Sequence, residues 1–387
     1  MTTEERDKLY LAPTYARFPV HIVRGEGRRL FDADGKEYLD LASGIGVNIF
    51  GCRDAEWTAA VEAQLGRLAH ASNLFYTDPC VELAEALVLR TGLKKVFFCN
   101  SGAEANECAI KAARKWGEEH KGAGYYNIVT MKGGFHGRTL ATVAATGQEE
   151  FHRDFLPVTE GFVYAEPEDA DGLERAVTEH KCAAIMLETV QGEGGVVPLS
   201  EGFLRAAADI AKRHDILLIV DEVQTGMGRT GAFYSYMPFG IAPDIVTSAK
   251  GLGGGLPIGA ALFGERTADV LTSGTHGSTF GGNPVVCAGA CSIVGRLTPE
   301  FLSAVARKGE KIKTALAGAD GIECVTGRGL MLGVKTVRPA ADVLAALRDE
   351  SVIAIKAKDK VRLLPPLNIT DDEIDTAVRA IRKVCAK

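Results

Sequence analysis

The sequence predicts an α/β protein with a large domain, built on a mostly parallel sheet flanked by helices, and a smaller α/β domain drawn from both chain ends. Three features point there. Val96 to Cys99, Ile128 to Met131, Ala183 to Leu187, Ile216 to Val220, Ile245 to Val246 and Ala260 to Phe263 are short runs that are apolar at nearly every position, as strands covered on both faces must be. Between them, apolar residues return at helical spacing: Ala105, Cys108, Ala109, Ala112, Ala113 and Trp116 in one stretch, Phe203, Leu204, Ala207 and Ile210 in another. The chain has 387 residues, more than the roughly 250–300 at which a single hydrophobic core stops growing.

The elements follow in order. Arg29-Leu30-Phe31-Asp32-Ala33-Asp34-Gly35 reads as a hairpin with an Asp-Gly turn, so residues 1–46 are expected to join the smaller domain. Residues 47–281 hold the strand and helix alternation and form the large domain. Beyond Asn283-Pro284 the pattern changes: a helix of small residues runs through Leu297, an amphipathic stretch covers Phe301 to Leu316, and short strands then alternate with two further helices. Residues 282–387 make up the C-terminal part of the smaller domain.

Composition narrows the function. A hydrophobic share of 46% and a charged share of 24% are those of an ordinary globular protein. The net charge of -6 gives no basic face to replace counterions, so nucleic acid is not an expected partner. No run of about 18 apolar residues occurs, and the charged start Met1 to Lys8 has no apolar stretch behind it, so neither a membrane association nor a secretory signal is expected. The nine cysteines are scattered without metal-type spacing. They fit reduced thiols, no metal and a cytoplasmic setting.

The chemistry-bearing residues stand at strand ends. Asn100-Ser101-Gly102-Ala103-Glu104 follows a strand and opens a helix, where free amides and the helix dipole favour an anion such as phosphate; an ordinary Ser101 cap would explain the same residues. Asp221 ends the strand that begins at Ile216, and Lys250 ends the next one, ahead of Gly251-Leu252-Gly253-Gly254-Gly255. A βαβ unit of roughly 30 residues returns both to the same sheet edge, which is where α/β sheets bind ligands. There a lysine can form an imine with an aldehyde while a carboxylate keeps a pyridine nitrogen protonated.

Seven segments in order now resemble the class III aminotransferases of fold type I, and among them those that act on N-acetylornithine. They are Gly44 to Asn48, Asn100 to Ala105, Phe135 to Thr139, Gln191 to Gly195, Asp221 to Gly226, Ser248 to Lys250, and Gly277 to Pro284. The resemblance implies pyridoxal 5'-phosphate bound to Lys250, with Asp221 as partner of the ring nitrogen. It further implies Phe135, beside His136, and Val223 on the two ring faces, and Gln224 at the ring hydroxyl. Ser101, Gly102 and Ala103 would hold the phosphate together with Thr279 from the neighbouring subunit of a homodimer. Ala103 and Thr189 depart from the residues common in the class, threonine and proline; the second leaves the supporting role of Glu188 open.

By the same resemblance, Arg138 grips the α-carboxylate of N-acetylornithine and later the side-chain carboxylate of glutamate. Arg362 grips glutamate's α-carboxylate, and Glu193 pairs with Arg362 when it is not needed. Ser278 and Asn48 are candidates for the acyl pocket. The implied reaction moves the δ-amino group to 2-oxoglutarate in a ping-pong cycle through pyridoxamine phosphate and belongs to arginine biosynthesis. Succinylornithine, N-succinyl-diaminopimelate, ornithine and 4-aminobutyrate are rival donors. An aminomutase and a non-catalytic binding protein are the rivals of other classes; Arg362 with Glu193 argues against the first and Lys250 against the second.

Overall fold

The computed structural model describes residues 1–386. Its centre is a seven-stranded sheet in the order Lys95–Cys99, Gly259–Phe263, Ile245–Ser248, Leu217–Asp221, Cys182–Leu187, Asn127–Met131, Phe162–Ala165. Successive side chains of a strand point to opposite faces, and here both faces are covered. Ile128, Ala184, Met186, Leu217 and Ile219 pack with helix Gly102–Lys121. Val129, Ile185, Leu187, Leu218 and Val220 lie in the core shared with helices Ala170–Glu179 and Glu201–Arg213. This is why the four central strands are buried at every position or nearly so.

Two details differ from the sequence reading. Gly259–Phe263 runs antiparallel to both of its neighbours, because it follows Ile245–Ser248 through a short connection with no crossover helix, as only an antiparallel pair can. Phe162–Ala165 is an additional strand at the sheet edge, mostly half-buried. Its sequence, Phe-Val-Tyr-Ala, is too short to stand out from loop.

The chain ends build two further sheets. Arg29–Asp32 pairs antiparallel with Glu37–Asp40. Between them Gly35 takes φ +85°, and the Asp32 carboxylate accepts from the amides of Asp34 and Lys36, so the turn is locked by an acidic residue and a left-handed glycine. Leu39 and Asp40 then pair with Val352 and Ile353 from the other end of the chain. A second sheet, Ile322–Arg328, Met331–Thr336, Lys360–Leu363, Ile355–Ala357, carries Arg362. Asn283 caps helix Pro284–Arg296 by accepting from the amides of Val285 and Val286, with Pro284 at the first helical position. That helix packs on helices Ala55–Leu65 and Asp78–Thr91.

Arg229 stitches these parts together. It is fully buried, and its guanidinium donates to the carbonyls of Leu330 and Pro365 and to the Ser43 hydroxyl. Burial lowers its pKa to about 9, and the nearby Asp40 carboxylate opposes the shift. Arg229→Ala would strand three acceptors in the interior and is expected to cost about 3 kcal/mol, measured as a lower denaturant midpoint at unchanged slope.

Candidate active site

The carboxyl edge of the sheet forms one wall of a cavity of about 470 Å3, lined among others by Ser101, Gly102, Ala103, Phe135, His136, Arg138, Asp221, Val223, Gln224 and Lys250. Asp221 is the last residue of its strand and is buried. A buried carboxylate must be paired or hydrogen-bonded, and Oδ2 accepts from Asn106 Nδ2 and meets His136 Nδ1, each at 2.8 Å, while Oδ1 accepts from the Val223 amide at 3.0 Å. Asn106 is itself fixed: it donates to the His136 carbonyl at 2.7 Å and accepts from the Thr247 hydroxyl at 2.6 Å. Burial works against a charge on His136, yet the hydrogen bond and charge of Asp221, with Glu188 behind it, hold the imidazole above its usual range.

Lys250 follows Ser248-Ala249 directly off the neighbouring strand and takes φ +45°, a left-handed backbone that aims its side chain at the cavity. Its ammonium is held below the ordinary lysine value, chiefly by burial, with the carboxylates of Glu193 and Asp221 opposing the shift. Across from it, Ser101 caps helix Gly102–Lys121 by accepting from the Glu104 amide at 3.2 Å, and the amides of the first turn have no partner within the helix. Gly102 has to be glycine: a Cβ there would lie 2.6 Å from Val223 Cγ1.

Beside this group, Arg362 is buried and forked onto Glu193, Nη1 to Oε1 at 2.5 Å and Nη2 to Oε2 at 3.4 Å. Gln224 bridges the pair, accepting from Arg362 at 3.0 Å and donating to Glu193 at 3.4 Å. Burial alone would raise the Glu193 carboxyl, but the Arg362 charge and hydrogen bonds bring it below the usual carboxylate range. Arg138, by contrast, is largely exposed at the cavity mouth.

Three expected residues stand elsewhere. Ser278 lies behind the Asn100 turn, where its hydroxyl accepts from Asn100 Nδ2 and the Gly281 amide. Asn48 is half-buried next to Val47, which does line the cavity. Thr279 is exposed and does not line this chain's cavity. Asn106 and Thr247 had no role in the sequence reading. A signal for Asn106 was present: a polar residue on the alanine-rich buried face of a helix needs a partner. Among the described residues no cluster of His, Cys, Asp and Glu could hold a metal ion, and no single helix is long and apolar enough to cross a membrane.

Residues 10–385 match the aminotransferase class-III family. The chain belongs to that family. As a class III aminotransferase it is a pyridoxal-phosphate-dependent transaminase. It is 46% identical to the acetylornithine aminotransferase of Haemophilus ducreyi, over 99% of this chain and 98% of that one. In structure it is similar to the N-acetylornithine aminotransferase of Stenotrophomonas maltophilia, with TM-score 0.85, 36% identity, and 99% and 98% of the two chains covered. It is also similar to the ornithine aminotransferase of Toxoplasma gondii, whose active site is partly occupied by pyridoxal phosphate: TM-score 0.94, 32% identity, 100% and 94% covered.

One carboxyl of this aminotransferase is tuned by burial. Glu188 accepts from the Phe135 amide at 2.8 Å and the Gly192 amide at 3.1 Å, and burial raises its pKa to about 7. A carboxyl with a higher pKa folded than unfolded binds its proton more tightly in the native state. Stability is therefore expected to fall as pH rises from the unfolded value toward 7. In Glu188→Gln the loss of melting temperature between pH 5.5 and pH 8 should shrink; an unchanged difference would assign that slope to other groups.

Proposed function

We propose that this aminotransferase moves the δ-amino group of N-acetylornithine to 2-oxoglutarate, releasing N-acetylglutamate 5-semialdehyde and glutamate. The observation that carries the reading is the contrast between its two arginines: Arg138 is open at the cavity mouth, whereas Arg362 is masked by Glu193. An enzyme that takes two substrates of different shape in turn needs one permanent carboxylate clamp and one that can be withdrawn. Arg138 would hold the single carboxylate of the acylated donor. When the five-carbon dicarboxylate enters, its second carboxylate would take Arg362 from Glu193, fork for fork.

The residues around the cavity fit the cofactor. The cavity is of ligand size, the helix start at Ser101, Gly102 and Ala103 offers amides to a phosphate, and Phe135 and Val223 can flank a planar ring while His136 steadies Asp221. Pyridoxal 5'-phosphate, when bound, supplies an aldehyde that takes up an amine and a ring that stores the electron pair left by a broken C–H bond. Asp221 would keep the ring nitrogen protonated, and Gln224 would donate to the ring hydroxyl. Lys250 would anchor the cofactor and, once released by the incoming amine, take the proton from the substrate's δ-carbon. Burial lowers its pKa and so favours the uncharged amine that a base requires.

The working form in this reading is a cytoplasmic homodimer, with Thr279 completing the phosphate site of the neighbouring subunit and Ser278 and Asn48 near the acyl group. Residues 1–46 and 282–387 would together make the small domain, joined by the pairing of Leu39 with Val352.

Lys250→Ala is expected to abolish turnover while cofactor still binds. Glu193→Ala should lower kcat/KM for N-acetylornithine and raise it for glutamate, each by about tenfold, since Arg362 is then permanently open. The decisive comparison is kcat/KM for N-acetylornithine, succinylornithine, N-succinyl-diaminopimelate, ornithine and 4-aminobutyrate, each with 2-oxoglutarate. Preference for any of the other four overturns the substrate, and intersecting lines in two-substrate kinetics overturn the cycle.

A further inference from the structure

Among the described residues the Arg138 guanidinium makes no ion pair and no hydrogen bond. It lies instead 4.2 Å from the centroid of the Phe151 ring and 5.6 Å from that of Phe135. The two rings meet edge to face, centroids 5.6 Å apart at 71°. They form a corner with the cation over it.

Phe151 is held from both sides. It closes the short helical turn Glu149–Phe151. On one flank Gln148 donates to the carbonyls of Gly133 and Gly134, the residues that lead into Phe135. On the other, the His152 ring bonds the carbonyl of Val143 at 2.8 Å. The turn that bears the ring is thus braced on one side against the loop that leads into Phe135 and on the other against the helix Leu140–Ala145 that follows Arg138.

We propose that Phe151 is the positioning residue for Arg138, its ring fixing the guanidinium at the cavity mouth and so setting the preference for a carboxylate-bearing donor. This rests on reading Arg138 as the carboxylate clamp. An acidic residue in the place of Phe151 would hold the arginine equally well, but it would occupy two of the five N–H donors and cancel the charge. An aromatic face attracts the cation through its quadrupole and accepts no conventional hydrogen bond, so the N–H edge of the guanidinium stays available to the substrate. Arg362 shows the opposite solution, since its forked edge is already occupied by Glu193.

The test isolates the first half-reaction. Holoenzyme is mixed with the amino donor alone, and the cofactor absorbance reports the rate at each donor concentration. Two donors are compared: N-acetylornithine and its neutral α-carboxamide. Phe151→Leu is expected to lower the second-order rate constant for N-acetylornithine about three- to tenfold. The loss should come from weaker binding at an unchanged limiting rate, with the carboxamide altered less than twofold. Phe151→Tyr should restore the preference. Stepwise fluorination of the Phe151 ring, which weakens the negative face at nearly constant size, should lower it in proportion. Equal losses for both donors, or no loss in Phe151→Leu, would overturn the proposal. Arg138→Ala separates the two ideas. If that variant keeps its preference for the carboxylate, the clamp reading fails and this proposal with it. If it loses the preference while Phe151→Leu does not, only the role of Phe151 fails. Within Arg138→Ala, adding Phe151→Leu should change nothing further, and an additional selective loss would also overturn the proposal.

Discussion

Asp221 brings a charge to the end of a strand buried on both faces, where an unpaired carboxylate would cost several kcal/mol. Its donors come from three separate places: Asn106 on the helix over the sheet, His136 on the loop after Asn127–Met131, and the Val223 amide just downstream. Thr247 on the adjacent strand fixes Asn106 in turn. Satisfying that one carboxylate therefore sets the height of the helix on the sheet and the path of the loop that holds Phe135 and Arg138. The helix start at Ser101 and the end of the Lys250 strand are placed by the same constraint.

Three arginines show how differently a guanidinium can be used within one chain. Arg229 is buried and spent on carbonyls, where its fork serves to join chain segments. Arg362 is buried and matched to a carboxylate, and Gln224 touches both partners, so any ligand that displaces Glu193 must also rearrange a residue lining the cavity. Arg138 is left charged and exposed beside aromatic rings. The same side chain serves as cement, latch or receptor according to whether it faces carbonyls, a carboxylate or a ring.

Much of this was legible in the sequence, and what was not has a physical explanation. Strands buried on both faces announce themselves by unbroken apolar runs, and six of the seven were read that way. The seventh, Phe162–Ala165, is an edge strand of only four residues, too short a run to stand out from loop. The direction of Gly259–Phe263 was hidden because pattern reports burial, not polarity. Lys250, Asp221 and the turn at Gly102 were visible as chemistry-bearing residues at strand ends. Asn106 was visible only as a polar residue on a buried helix face, and Thr247 not at all, since the partners of both are distant in sequence. Phe151 was equally silent, as an aromatic residue in a polar stretch says nothing about which cation it faces.

The reversed strand has a further meaning. In a parallel sheet the chain must leave the ligand edge after each strand and travel back through a helix before it can return. Because Gly259–Phe263 runs the other way, the segment from Ala249 to Ile258 departs from and arrives at the same edge, and most of its residues line the cavity. It behaves like a floorboard nailed at both ends, with Lys250 at one nail and Ile258 at the other. It is also pinned along its length, because Leu252 and Ile258 are buried in the core and Trp57 donates to the Gly253 carbonyl, so a change in this span reshapes the chamber and the framework together.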